Sequence, residues 1–255
     1  MSVRSGDLTE KWCEYVYRER PESVRRFVRN YPEERSLSVS CEQFGHDYRF
    51  VRPLLADPDR AFRAGRVALK RFLARSDDER LAGGDQWSAP TTDLSDVYIR
   101  VSDLPEESET AIADVRAEHL NELRELRGDV LETGPIRPKV VRAGFRCAKC
   151  EAITRHVGQP GRAFRSHAKC PRCNSVGYLS FAPDRSEYVD AQRITLADPT
   201  VGGQSVTALL EHDLVGAVEA GDELRLVGIP RADRDDDTAL GDLWVESVSM
   251  ENLTG

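Results

Sequence analysis

The chain has 255 residues, 40% hydrophobic and 31% charged, a length that accommodates one large domain or two to three small ones around modest cores. Its 18 Gly and 13 Pro are ordinary counts that exclude a collagen-like fibre and a disordered tail, and no run approaches the roughly 18 consecutive apolar residues needed to span a bilayer. The net charge of -8 argues against a basic body that coats nucleic acid without specificity, but leaves room for a local basic groove.

Met1 to Glu10 is polar and lacks the apolar stretch of a secretory signal, which places the protein in the cytoplasm with reduced thiols. Leu8, Trp12, Tyr15 and Val16 fall at helical spacing, and Val24, Phe27, Val28 and Tyr31 repeat the pattern after Pro21, predicting two short amphipathic helices. Leu37, Val39 and Cys41 alternate, and Pro58 opens a further helix whose Phe62, Leu69, Phe72 and Leu73 share a face. The turn-rich segment Ala82 to Pro90 is the best linker candidate. These signals give a helical subdomain over 1–88.

From Val97 the apolar period becomes two: Val97, Ile99 and Val101, then Ile194 and Leu196, Val206 and Ala208, Leu224 and Leu226, Leu243 and Val245. Short strands with turns such as Gly202-Gly203 and Ala220-Gly221-Asp222 predict a small closed barrel of the oligonucleotide/oligosaccharide-binding (OB) type. The barrel is expected over 94–142 and 183–250.

Within this half, four of six cysteines read Cys147-x2-Cys150-x19-Cys170-x2-Cys173. Two thiolates two residues apart on a tight turn can face one ion, and two such knuckles complete a four-sulfur shell, so the spacing predicts one structural Zn2+ per chain. With four sulfurs no position is left for water or substrate, so the ion stabilises a short segment, placed at 143–182, that has little core of its own. A redox pair or a disulfide framework does not predict two matched pairs in a reducing compartment. His156 and His167 between the knuckles read as surface histidines, and Cys13 and Cys41 as small buried hydrophobes.

No Gly-x4-Gly-Lys-Ser/Thr loop, Gly-x-Ser-x-Gly elbow or His-Glu-x2-His pair occurs in the sequence, so a non-catalytic protein is expected. Arg137, Lys139, Arg142, Arg146 and Lys149 give five basic residues and no acidic one from Ile136 to Cys150, a candidate phosphate-binding stripe. Phe145, Phe164, Tyr178 and Phe181 are the nearby aromatics available for stacking on bases. The same aromatics would equally fill a small core, with the arginines solvated.

Leu126-Arg127-Gly128, Ile136-Arg137-Pro138-Lys139 and Phe145-Arg146-Cys147-Ala148-Lys149-Cys150 together resemble, in order and spacing, the N-terminal region of archaeal-type minichromosome maintenance (MCM) replicative helicases. Asp184 to Ile194, Gly202 to Ser205, Asp213 to Gly216, Ala220 to Asp222, and Tyr31 to Leu37 with Leu55 to Pro58 extend the similarity over essentially the whole chain. The resemblance implies an α+β multi-subdomain architecture: an N-terminal helical bundle, then an OB-fold barrel with an inserted four-cysteine zinc ribbon. It further implies a nucleoid-associated replication protein without the ATPase part, a homo-oligomer forming a hexameric ring around single-stranded or duplex DNA. A full-length MCM or a separate AAA+ motor would be its protein partner; no membrane is involved.

The resemblance also implies that the loop from about Asp198 to Ser205 couples the ring to a motor tier, and that a hairpin beyond it projects toward a central channel. Arg193 is a second-rank DNA contact beside the resemblance motif. Arg231 and Arg234 sit on the hairpin, where Arg231 to Asp237 carries four Asp against two Arg. An acidic tip repels phosphate, which sustains an alternative: an adaptor that has lost DNA affinity and modulates full-length MCM rings by protein contacts.

Overall fold

The computed structural model describes residues 5–44, 48–74, 94, 97–159, 161–166, 169–234 and 241–254. The linker candidate Ala82 to Pro90, His167 and the acidic run Asp235 to Asp237 lie outside these residues.

Helix α1 (Ser5–Trp12) runs directly into a π-helical turn over Cys13–Tyr17, closed by the Arg18 N–H on the Cys13 carbonyl at 3.0 Å. The extra residue in the turn shifts the apolar face, so Val16 and Tyr17 are both buried, and Tyr17, not the half-buried Tyr15, completes the face opened by Leu8 and Trp12. Trp12 packs edge-on against Phe50 at 5.3 Å between ring centroids. Helix α2 (Pro21–Asn30) buries Val24, Phe27 and Val28, and helix α4 (Pro58–Ala74) buries Phe62, Leu69, Phe72 and Leu73, as their spacing predicts. A helix absent from that prediction, α3 (Tyr48–Ala56), contains Pro53 and is held by burial of Phe50, Val51 and Leu54. Gly65 lets α4 approach this cluster: a Cβ there would lie 2.6 Å from Ile99 Cδ1 and 3.0 Å from the Trp12 ring.

The alternating segment Ser36–Ser40 (β1) pairs in parallel with Tyr98–Ser102 (β2), and Val97, Ile99 and Val101 join the core of the helical unit. The expectation that this stretch begins the barrel differs from the structure because its apolar face meets α4 and α1. The first barrel strand is β3 (Arg124–Thr133). A long strand β4 (Arg137–Cys147), two short ones, β5 (Ile153–Gly158) and β6 (Leu179–Phe181), then β7 (Glu187–Ala197), β8 (Ser205–Glu211), β9 (Glu223–Arg234) and β10 (Gly241–Asn252) follow.

The sheet order β3-β9-β10-β8-β7, with an additional β3–β7 pairing, closes a five-stranded barrel, and its β8–β10 pair is parallel while the other pairs are antiparallel. This is the OB arrangement. Leu126, Ile194, Leu196, Val206, Leu224, Leu226 and Val245 fill its interior, the inward side of the period-two pattern. On the outer face Val227, Ile229 and Val248 pack against the helical core, and a bulge between Ser247 and Ser249 brings Val248 to that side. Arg100 fastens the two units. Buried itself, it donates to the Val248 and Glu211 carbonyls at 2.9 and 3.2 Å and pairs with Asp213. Among the described residues, no helix is long and apolar enough to cross a membrane.

Candidate metal centre and nucleic-acid interface

Strand β4 positions both candidate sites. Its first half pairs with β7 of the barrel, Arg137 opposite Ala191 and Arg142 opposite Glu187. Its second half leaves the barrel to pair with β5 and β6, carrying Cys147 to the start of the first knuckle. Gly144 permits this crossing: a Cβ there would meet the Arg185 carbonyl oxygen at 2.4 Å.

Both knuckles close in the same way. The Glu151 N–H reaches back to the Cys147 carbonyl at 2.9 Å and the Asn174 N–H to the Cys170 carbonyl at 2.8 Å. The residue after each second cysteine, Glu151 and Asn174, has φ of 57°, a left-handed step that turns the chain so both thiols of a pair face one point. The four Sγ atoms lie within 4.8 Å of one another, with Cys147 to Cys173 and Cys150 to Cys170 each at 3.7 Å.

A disulfide requires about 2.05 Å between sulfurs. A tetrahedral ion with metal–sulfur bonds near 2.3 Å sets its sulfurs about 3.8 Å apart. The four cysteines therefore fit a metal ion and not two disulfides. The Ser175 hydroxyl and backbone N–H hold the Cys173 thiol down to about 6 and the Cys173 N–H lowers Cys170, whereas Cys150, despite the Ala152 N–H, is pushed up to about 12 by desolvation and the neighbouring thiols. Cys41 is pushed up to about 12 by burial, and the half-buried Cys13 thiol donates to the Ala68 carbonyl at 3.5 Å. Both behave as core residues. Of His156 and His167 no side chain is among the described atoms.

The basic candidates separate into three places. Arg137, Lys139 and Arg193 line one cleft of about 570 Å³ between the barrel wall and the ribbon, together with Arg162 and Phe164. Arg137 and Arg193 are exposed and form no ion pair among the described residues. Lys139 pairs with Glu211. Arg142 lies outside this cleft and pairs with Glu187 at 2.8 Å.

Arg231 is half-buried and does not line the cleft. It binds both carboxylate oxygens of Asp59, at 2.7 and 3.0 Å, the Glu246 carboxylate at 2.8 Å and the Asn121 side chain at 2.8 Å. Arg234 continues β9 in backbone register with Gly241.

Arg162 escapes a reading by charge runs. It sits in Gly161-Arg162-Ala163-Phe164, outside the stripe from Ile136 to Cys150, and its one local signal is a cation two residues from an aromatic. Its guanidinium lies 5.0 Å above the Trp244 ring and bonds Asp233. Asp233, one of the four Asp of the expected acidic tip, has its charge matched by this pair. Next to this clamp, the Gln159 side chain bonds the Arg165 N–H and carbonyl at 2.6 and 3.0 Å, so the loop carrying Phe164 is pinned on both sides. Phe164, half exposed, rests edge-on against Phe181 at 5.0 Å.

The loop from Asp198 to Ser205 is preformed. Asp198, buried, accepts from the Thr200 hydroxyl and N–H at 2.7 and 2.8 Å, the Val201 N–H at 3.0 Å and the Ala113 N–H at 2.9 Å. These bonds hold its carboxyl well below the usual range.

Fold and site together define an OB-barrel protein with an inserted metal-binding ribbon. Residues 111–234 match the MCM OB domain family. The chain is 29% identical over 205 residues to the DNA replication licensing factor mcm2 of Schizosaccharomyces pombe, covering 77% of this chain and 23% of that protein. It is 29% identical over 140 residues to the Xenopus laevis protein of the same name, covering 52% and 16%. With mcm4-B of Xenopus laevis it shares 31% over 121 residues, 45% and 14%. The matched region thus spans under a quarter of these relatives. The crystal structure of the N-terminal domain of an archaeal MCM superposes with a TM-score of 0.74 at 22% identity, over 98% of this chain and 99% of that one. The fold is that of the MCM N-terminal domain, helical unit, barrel and four-cysteine ribbon included.

Proposed function

We propose that this chain is a non-catalytic, MCM N-terminal-like protein of DNA replication that binds DNA in the cleft between barrel and ribbon and assembles with copies of itself into a ring. The observation that carries this reading is the exposed pair Arg137 and Arg193, without ion-pair partners among the described residues, lining one cleft with Phe164. Two guanidiniums supply phosphate contacts and the aromatic face supplies stacking, the combination that single strands require. The ribbon ion in this reading is Zn2+, the borderline-soft ion that four thiolates at tetrahedral spacing favour in a structural site. It would set the angle of β4 and so the width of the cleft.

The test is size-exclusion chromatography with light scattering, with and without a labelled single-stranded oligonucleotide, at low and high salt. Co-elution of DNA with a ring-sized species, weakening as salt rises, is expected. A monomer that ignores DNA under every condition overturns the reading. One observation favours the second reading, an adaptor acting on full-length MCM rings: Lys139, Arg142 and Arg231 are all matched by carboxylates of this chain. Co-elution with a full-length MCM in the absence of DNA would mark that outcome.

A further inference from the structure

Where α4 and β2 approach β4 and β7 lies a crevice of about 210 Å³ that shares no lining residue with the cleft. Three guanidiniums line it, those of Arg35, Arg66 and Arg142, against one carboxylate, that of Glu187. Glu187 is bound to Arg142 at 2.8 Å. Arg35 donates its Nε to the Pro32 carbonyl at 3.2 Å. Arg66 is half-buried and makes no hydrogen bond or ion pair among the described residues. Tyr98 and the exposed Tyr188 complete the walls, and Arg100 lies over the far face of the Tyr98 ring at 5.0 Å.

Arginines crowded into a partly desolvated crevice repel one another, and an unmatched buried cation is costly. Such a cost is relieved by an anion with several acceptor oxygens, which a guanidinium fork grips in a planar, two-point manner. The crevice volume exceeds that of a tetrahedral oxyanion and leaves room for one attached group.

We propose that this crevice binds a phosphoryl group, with Arg66 and Arg35 as the gripping residues and Arg142, oriented by Glu187, as the third wall. The group is either free phosphate or a phosphate carried on a nucleic-acid strand. The site stands apart from the cleft of Arg137 and Arg193 and does not depend on it. Filled, it would draw α4, β2 and β4 together at the junction of the helical unit with the barrel.

Calorimetric titration of the 255-residue chain with inorganic phosphate, and separately with a 5′-phosphorylated dinucleotide, tests this. Saturable binding of either probe at one site per chain is expected, weakened about tenfold by Arg66→Gln and by Arg35→Gln and retained in the Arg137→Ala/Arg193→Ala variant. Arg66→Lys, which keeps the charge but not the fork, is expected to fall between wild type and Arg66→Gln and guards against loss of folding in the latter. Binding of both probes assigns a free phosphoryl group; binding of the dinucleotide alone assigns a strand-borne phosphate. Absence of binding by both, or binding unchanged in Arg66→Gln and lost in Arg137→Ala/Arg193→Ala, overturns the proposal.

Discussion

Arg162 and Asp233, 71 residues apart in sequence, form an ion pair at 2.7 Å, and the Trp244 indole N–H donates to the same carboxylate at 2.8 Å. The ribbon loop is thereby fastened to the β9–β10 hairpin, so that two segments which the resemblance assigns to different tasks share one anchor. Asp233→Asn leaves the indole its acceptor but removes the charge that holds Arg162. A loss of about 1–2 kcal/mol is expected, together with faster proteolytic cleavage in the loop around residues 161–166. Unchanged cleavage there, measured by limited proteolysis and mass spectrometry, would show that the loop is held by other contacts.

Arg137 and Arg231 separate binding from folding. Arg137→Ala is expected to weaken single-strand binding and to lower the slope of log affinity against log salt by about one phosphate contact, leaving thermal stability unchanged. Arg231→Ala removes the shared partner of the partly exposed Asp59 and Glu246 and is expected to cost about 1 kcal/mol of stability with little change in the salt slope. Fluorescence anisotropy over a salt series, beside denaturant unfolding, reads both.

Phe164 is the aromatic face in the cleft. Phe164→Ala is expected to reduce affinity for a thymidine oligonucleotide by about 5- to 100-fold, the range for one lost stacking contact. An abasic oligonucleotide of equal charge is expected to bind wild type and variant alike. Equal losses on both strands would make Phe164 a packing residue of the ribbon, not a stacking platform.

Removing the metal loosens the ribbon and spares the barrel. Fresh protein is expected to carry about one equivalent of zinc per chain by elemental analysis, and under half an equivalent would remove the four-cysteine site from consideration. After chelation, amide exchange is expected to rise from 148 to 178 while β3, β8 and β9 stay protected, because their apolar interior is separate from the ribbon.

Acid unfolding reports the Arg100–Asp213 contact. Burial raises the Asp213 carboxyl, but the Arg100 guanidinium outweighs it, and the group stays below its usual range. A depressed carboxyl contributes stability that is present above its unfolded value near 3.9 and is lost as pH falls through the folded one. Stability of the wild type is therefore expected to fall below about pH 4, and Asp213→Asn to show a shallower fall over that range. Identical slopes for the two proteins, by urea unfolding at stepped pH, would contradict this.

The sequence by itself determined what depends on near neighbours. Two Cys-x2-Cys pairs make two knuckles because each closes within five residues, and alternating Ile194, Leu196, Val206 and Leu226 must face one interior because the strand period is two. The three helical spacings likewise named buried faces, with Tyr15 and Tyr31 only half-buried at their margins. Tertiary structure alone decided which charges remain available. Arg137 and Arg231 are both arginines on strands, but one reaches solvent in a cleft and the other meets Asp59, 172 residues away. The same holds for β2, whose alternation is as good as any barrel strand's but which pairs with β1 some 60 residues earlier. Periodicity states that a face will be buried; it carries no record of the surface that buries it. Charge matching and strand partners are set by the close approach of distant segments, and for this protein those approaches fix which basic residues stay open to a ligand.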